Sequence, residues 1–265
     1  MPGTLSEPRS GFDAFRLHSL LQRAIALEGF TEPRPIQQKA IPAVLEGRDV
    51  LGLAQTGTGK TVAFALPILE RLLSEPGRPG PRVLIVAPTR ELAMQIDAEI
   101  TSLARFTKLK TATVYGGVSE RKQIDALARR PEIVVACPGR FLDLHRQGAL
   151  RVDRVEVVVL DEADHMLDMG FLPDIRRILA ALPAERQNLL FSATMPAEIR
   201  SLASQILRDP VVIELAHSLP PVTIEHALYP VPEKRKLDLL TTLLDEDGIF
   251  SAIVFTRTKH RAKRV

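Results

Sequence analysis

From about residue 49 the chain alternates short apolar runs with stretches whose apolar positions recur at helical spacing. The runs at 49–53, 83–87, 111–115, 133–136, 157–160, 188–191 and 211–213 predict strands. Between them, 61–73, 91–103, 119–127, 139–146, 174–182 and 197–207 carry helical patterns. The run Val157-Val158-Val159-Leu160 is apolar at every position rather than at alternate ones, which marks a central strand buried on both faces. Strands and helices in this alternation predict an α/β fold, a parallel sheet sandwiched by helices. The stretch 75–81, with three prolines and two glycines, predicts a surface loop.

Two parts fall outside this alternation. Residues 1–48 hold a helical stretch at 17–27, followed by a proline-rich segment at 29–37. At the other end, 215–222 reads as a linker around Pro220 and Pro221. Beyond it come a helix pattern at 236–244, a strand pattern at 252–255 and a basic tail at 258–265. One helix and a strand or two enclose no core of useful size. The expected organisation is therefore an N-terminal extension (1–48), an α/β domain (49–214), a linker (215–222) and the weakly packed start of a second domain (223–265).

Composition excludes more than it identifies. Apolar residues make up 45% of the chain and charged residues 25%, as in soluble globular proteins. No apolar stretch is long enough to cross a bilayer, and the N-terminus lacks the regions of a signal peptide. Cys137 is the single cysteine, so no internal disulfide forms, and a reducing, cytoplasmic setting is the simplest expectation. The formal charge of +3 names no partner. Local basic pairs such as Arg121 with Lys122 and Arg176 with Arg177 read most simply as solvated helix faces.

Two segments carry chemistry. The first is Ala54-Gln55-Thr56-Gly57-Thr58-Gly59-Lys60-Thr61, placed between a predicted strand and a predicted helix. That context is what a phosphate-binding loop requires. Gly57 and Gly59 let successive backbone N–H groups face one point at the positive end of the following helix, with Thr56 and Thr58 alongside. Lys60 then reaches the outer phosphates, and the Thr61 hydroxyl ligates Mg²⁺. The generic pattern opens with glycine where this chain has Ala54. The second segment is Asp161-Glu162-Ala163-Asp164, at the carboxyl end of the strand at 157–160. Open α/β sheets place their ligands there. Asp161 is expected to hold the magnesium through water and Glu162 to orient and deprotonate an attacking water, an arrangement that suits phosphoryl transfer. The plain alternative is a solvated acidic turn, which leaves two carboxylates at such a strand unexplained.

These segments resemble the DEAD-box RNA helicases, ATPases built from two tandem RecA-like domains, and the resemblance runs in order along nearly the whole chain. Phe12 and the segment 29–37 resemble the isolated aromatic and the Q motif, and 54–61 resembles motif I. Pro88-Thr89-Arg90-Glu91-Leu92 resembles motif Ia, with Gly116-Gly117 after it and Pro138-Gly139-Arg140 as motif Ib. The segments 161–164 and 192–194 resemble motifs II and III, and Val254-Phe255-Thr256 resembles the opening of motif IV. Ala54 is ordinary in this family.

The resemblance implies ATP with Mg²⁺ as ligands and RNA as partner. It assigns Phe12 to stack on adenine and Gln37 to pair with adenine N6 and N7, the geometry by which glutamine reads adenine in DNA. Without it, Gln37 reads as a surface amide beyond a proline-rich turn. Ser192 and Thr194 are implied to hydrogen-bond Asp164 and couple hydrolysis to domain closure; helix capping before Pro196 is the competing use of Thr194. RNA contacts are implied for Thr89, Arg90, Gly116, Gly117, Pro138, Gly139 and Arg140, all to the sugar-phosphate backbone. Two departures stand out: Cys137 and Arg34 occupy positions where the family commonly has threonine. The arginines that complete the family's hydrolysis site belong to the second domain, so this chain is expected to bind nucleotide, hydrolyse it poorly and not unwind duplexes. An ATP-dependent RNA clamp or annealing factor is the alternative on the same scaffold.

Overall fold

The computed structural model describes residues 11–75, 77, 79–215, 225, 227–245 and 249–265. All seven predicted strands form, as β1 (Val50–Leu53), β2 (Val83–Val86), β3 (Thr111–Val114), β4 (Ile133–Ala136), β5 (Val157–Leu160), β6 (Gln187–Ser192) and β7 (Val211–Glu214). They make one wholly parallel sheet in the order β3-β4-β2-β5-β6-β1-β7. The pleat then sorts side chains strictly by parity. Val83, Ile85, Val157, Val159, Leu189 and Phe191 enter one core. Leu84, Val86, Val158, Leu160 and Leu190 enter the other. Both faces are buried, which is why these strands read as unbroken apolar runs.

The first face is covered by α1 (Ser19–Leu27), α2 (Pro35–Leu45), α3 (Lys60–Ser74) and α4 (Arg90–Leu103). The second is covered by α5 (Glu120–Ala128), α6 (Pro138–Arg146), α7 (Ala163–Asp168), α8 (Leu172–Ala181) and α9 (Ala197–Ile206). Within the segment 1–48, an extension by sequence, the described residues from Phe12 onward join the first core: Leu21, Ile25, Ile36, Ile41 and Val44 are buried there, and α2 packs on α3. Its helix escapes a sequence reading because Pro42 lies inside it and Pro33 and Pro35 at its start suggest a turn. Helix α7 escapes because its acidic start reads as the end of a strand.

A buried polar knot fixes the amino ends of β1, β6 and β7. The Asp49 carboxylate accepts hydrogen bonds from the backbone N–H groups of Asn188 (2.7 Å) and Arg208 (2.8 Å) and from the Asn188 amide (3.2 Å). At the carboxyl ends of the strands lie the chemically suggestive segments.

The chain divides into two units, 1–217 and 218–265. In the second, α10 (Lys236–Leu244) forms as expected and α11 (Lys259–Ala262) comes after it. The strand expected at 252–255 does not form. A strand needs a partner ladder, and Ile253 and Phe255 are 84% and 93% exposed. No described residue of this unit is buried. The expected linker lies outside the described residues except for Leu215, whose N–H bonds to Leu53 in line with β7. Among the described residues no helix is long and apolar enough to cross a membrane.

Candidate functional site

The segment 54–59 leaves β1 and turns into α3. Gly57 and Gly59 have φ of +83° and +90°, left-handed values that side-chain-bearing residues seldom adopt. A Cβ at Gly59 would also strike the Gln37 amide nitrogen, so only glycine fits. The turn delivers Lys60 to the first position of α3, where its side chain is 5% exposed. Among the described residues its ammonium has no hydrogen-bond partner and lies 3.8 Å from Asp161 Oδ1, too far for a direct bond. A buried, unsatisfied ammonium is costly and asks for an anion.

The opposite wall comes from the end of β5. Asp161 is buried, and burial pushes its carboxyl up to about 6 even though the Lys60 charge opposes the shift. Glu162 has φ +52° and ψ +54°, an uncommon conformation for a residue with a side chain. Such strain gathers at functional positions. The kink turns its carboxylate across the site, where Oε1 accepts from the Thr56 hydroxyl at 2.9 Å and Oε2 lies 3.3 Å from His165 Nδ1.

Asp164 faces the end of β6. Its Oδ2 accepts from the Thr194 backbone N–H (2.8 Å) and hydroxyl (2.9 Å), while its own N–H donates to Ser192 Oγ (3.2 Å). Burial works to raise this carboxyl, but these hydrogen bonds outweigh it and hold it below the usual range. Thr194 does not cap α9, whose N-cap is Pro196.

Gln37 is buried in the first turn of α2, not displayed on a surface turn. Its Oε1 accepts from the Arg34 N–H at 2.8 Å and its Nε2 donates to the Gly59 carbonyl at 3.1 Å. One N–H and one lone pair of the amide remain, the pair that adenine would use. Arg34 also reaches the loop, donating to the Gly57 carbonyl at 2.6 Å. Sequence marks Arg34 only as a departure from a pattern; the contact itself needs three dimensions. Phe12 is 6% exposed and stacks on Phe30 within the core, so the structure gives it no open ring face. Thr61 sits beside Lys60 with its hydroxyl against Glu99 of α4; burial raises the Glu99 carboxyl, and Thr61 and the Arg34 charge ease it back.

Asp161, Glu162, Thr56 and Thr61 offer only hard oxygen donors, which suits Mg²⁺. Among the described residues no cluster of three or more His, Cys, Asp or Glu side chains makes a self-contained cage. Mg²⁺ rarely has one, since it keeps waters and borrows phosphate oxygens.

The remaining candidate residues stand apart, at the ends of β2, β3 and β4, which are neighbours in the sheet. Thr89 caps α4 through its hydroxyl, and the exposed Arg90 lies over the Tyr115 ring at 5.4 Å. Gly116, Gly117 and Gly139 are exposed, and a Cβ on any of them would meet nothing within 4 Å. Pro138 is buried at the start of α6, and the Cys137 thiol before it is raised to about 11 by burial. It caps nothing. Among the described residues, packing gives no reason for glycine at 116 and 139.

The comparisons agree with this geometry. Residues 34–202 match the DEAD/DEAH box helicase family. The DEAD-box ATP-dependent RNA helicase RhpA of Helicobacter pylori is 46% identical over 255 residues, 96% of this chain and 51% of the relative. The DEAD-box ATP-dependent RNA helicase CshA of Geobacillus kaustophilus is 44% identical over 251 residues, 94% of this chain and 53% of the relative. The crystal structure of a DEAD box protein from the hyperthermophile Methanococcus jannaschii superposes with a TM-score of 0.74 at 38% identity, over 97% of this chain and 69% of that one. That of a hypothetical ATP-dependent RNA helicase from Sulfolobus tokodaii gives 0.70 at 40% identity, over 75% and 57%. The chain spans about half the length of the curated relatives it matches. With the family match covering more than half of the chain and the motifs in place around one sheet edge, the chain belongs to the DEAD/DEAH box helicase family.

Proposed function

We propose that this chain is the ATP- and RNA-binding part of a cytoplasmic ATP-dependent RNA helicase, in which hydrolysis drives duplex unwinding or remodelling. The observation that carries this reading is Lys60, a buried ammonium without a hydrogen-bond partner among the described residues, at the head of a glycine loop. A triphosphate supplies the hydrogen-bond acceptors that Asp161, an ion-pair partner at 3.8 Å, does not. Gln37 and Phe12 take the adenine end, Gln37 through its free N–H and lone pair and Phe12 once its ring is uncovered. Thr56, Gly57, Thr58 and Gly59 wrap the phosphates.

Asp161 and Thr61 would hold Mg²⁺, which would supply charge neutralisation on the outer phosphates. Thr61 must then turn from Glu99. Glu162 exchanges its Thr56 bond for the attacking water and takes a proton as the oxygen bonds to the terminal phosphorus and ADP departs. Asp164, held by Ser192 and Thr194, ties this chemistry to the end of β6. Arginines that the resemblance assigns to a second domain would add charge at the transferring phosphate. Thr89, Arg90, Gly116, Gly117, Pro138, Gly139 and Arg140 take the RNA backbone. A lone cysteine and relatives named as RNA helicases support the cytoplasmic assignment.

The test is ATP hydrolysis by this chain with and without single-stranded RNA, beside Glu162→Gln and a nucleotide-binding titration. Nucleotide binding is expected in both proteins, with slow turnover only in the wild type. A wild type that binds no nucleotide would sink the reading; equal turnover in Glu162→Gln would remove Glu162 as the base.

A further inference from the structure

Strand β3 is the edge of the sheet, so among the described residues its outer side has no neighbouring strand. Its ladder with β4 ends at Val114, and Tyr115 is the next residue. An edge residue normally leaves its backbone groups to water or to a stray chain. Here Gln123 of α5 takes them: its Oε1 accepts from the Tyr115 N–H at 3.1 Å and its Nε2 donates to the Tyr115 carbonyl at 2.9 Å. A carboxamide has the donor and acceptor of a peptide group, so one side chain stands in for a paired strand. Gln123 is 6% exposed and lies one helical turn before the buried Leu127. A glutamine therefore occupies the buried stripe of a helix, where packing alone favours an apolar residue.

The residues just past Tyr115 give this clamp its meaning. Gly116 and Gly117 come next, and a guanidinium nitrogen of Arg140 donates to the Val118 carbonyl at 3.5 Å. The Tyr115 ring in turn lies under Arg90. The two glycines are thus strung between held residues, with Arg90 near one end and Arg140 at the other. We propose that Gln123 is a positioning residue for the RNA surface: by gripping both backbone groups of Tyr115 it sets Gly116 and Gly117 in register with Arg90 and Arg140. It touches no RNA itself. The inference rests on the RNA reading above and adds a residue to it.

The experiment is a salt titration of binding to a single-stranded oligouridylate by the full chain, for wild type, Gln123→Ala and Gln123→Glu, with ADP affinity measured on each. Gln123→Ala is expected to weaken RNA binding about 10-fold and to flatten the slope of log K against log salt by about 0.7, one backbone contact on a single strand. ADP affinity should stay within about twofold, since the sites share no groups. In Gln123→Glu the ionised carboxylate accepts from the N–H but cannot donate to the carbonyl; once protonated it does both. RNA affinity of that variant should recover as pH falls from 8 to about 5.5, where a buried carboxyl regains its proton, while the wild type stays flat. Asp97 and Lys122, which line the same groove, are unchanged in every arm.

Wild-type affinity and slope in Gln123→Ala would overturn the proposal. So would parallel loss of RNA and ADP binding with no recovery at low pH, which would make Gln123 a support of the fold only. Absence of salt-dependent RNA binding by the wild type would overturn the RNA reading itself, a result distinct from either.

Discussion

The two halves of the sheet edge are built on opposite principles. Around β5, β6 and β1 the groups are buried, charged and strained: an unsatisfied ammonium at Lys60, a carboxyl at Asp161 pushed to about 6, a left-handed backbone at Glu162. Around β3, β4 and β2 the notable features are open space over Gly116, Gly117 and Gly139 and exposed or half-buried arginines. On the proposed function, the difference follows from two tasks. Moving a phosphoryl group requires fixed charges in a dry site, and such charges leave a mark on the protein itself. Holding a sugar-phosphate chain requires approach and a modest positive field, and its mark is the side chains that are not there.

This contrast predicts that the halves can be broken separately. Lys60→Ala should have the largest effect, weakening ADP binding about 100-fold, as expected for loss of charge-assisted bonds to phosphate. Oligouridylate binding measured on the same sample should remain within about threefold, because distant sites act independently. Equal loss of both ligands would mean that the phosphate loop and the RNA surface form one site, and the comparison would fail.

The reciprocal variant is Gly139→Leu, with a smaller effect. A Cβ there meets nothing within 4 Å among the described residues, and leucine suits a helix better than glycine. Stability should therefore shift by no more than about 0.5 kcal/mol. RNA affinity should fall about 10-fold as the side chain fills the space that the proposed function gives to a backbone phosphate, with ADP affinity unchanged. A large drop in Tm would show that the space serves the fold instead.

The same division explains what sequence alone reveals. The strands at 133–136 and 157–160 match the structure residue for residue, because two-faced burial leaves an uninterrupted apolar run. The glycine loop and the acidic segment stand out in the sequence because the chemistry proposed for them dictates residue type and spacing. Other features depend on partners distant in sequence. The grip of Arg34 on Gly57 spans 23 residues, and Thr56 meets Glu162 across 106. Helix α2 hides behind its prolines. The burial of Phe12 against Phe30 depends on how the first helices fold back on α3, which no local pattern encodes. Gln123 leaves a trace, a polar residue within an apolar stripe, but one that acquires meaning only when Tyr115 is seen beside it. The pattern at 252–255 is real as a propensity and empty as a strand, since propensity supplies no partner.

The smallest predicted effect probes the one residue that crosses the division. Asp97, on α4 beside β3, carries the mark of the other half: one carboxylate oxygen is buried without a partner among the described residues. Burial raises its pKa above the ordinary 3.8, and the Thr111 hydroxyl only eases it back. A raised carboxyl binds its proton more tightly folded than unfolded, so its contribution to stability is full below 3.8 and is lost as pH rises through the folded value. At neutral pH the ionised group is a small burden. Asp97→Asn should accordingly raise Tm by about 1–2 °C at pH 8, with the gain vanishing near pH 4. It lines a groove of about 640 Å³ with Thr113, Tyr115 and Lys122, and none of the residues lining that groove is a glycine. RNA affinity is therefore expected to stay the same in Asp97→Asn. If it changes instead, the RNA half also uses buried charge, and the groove along β3 must be counted as part of the surface that RNA occupies.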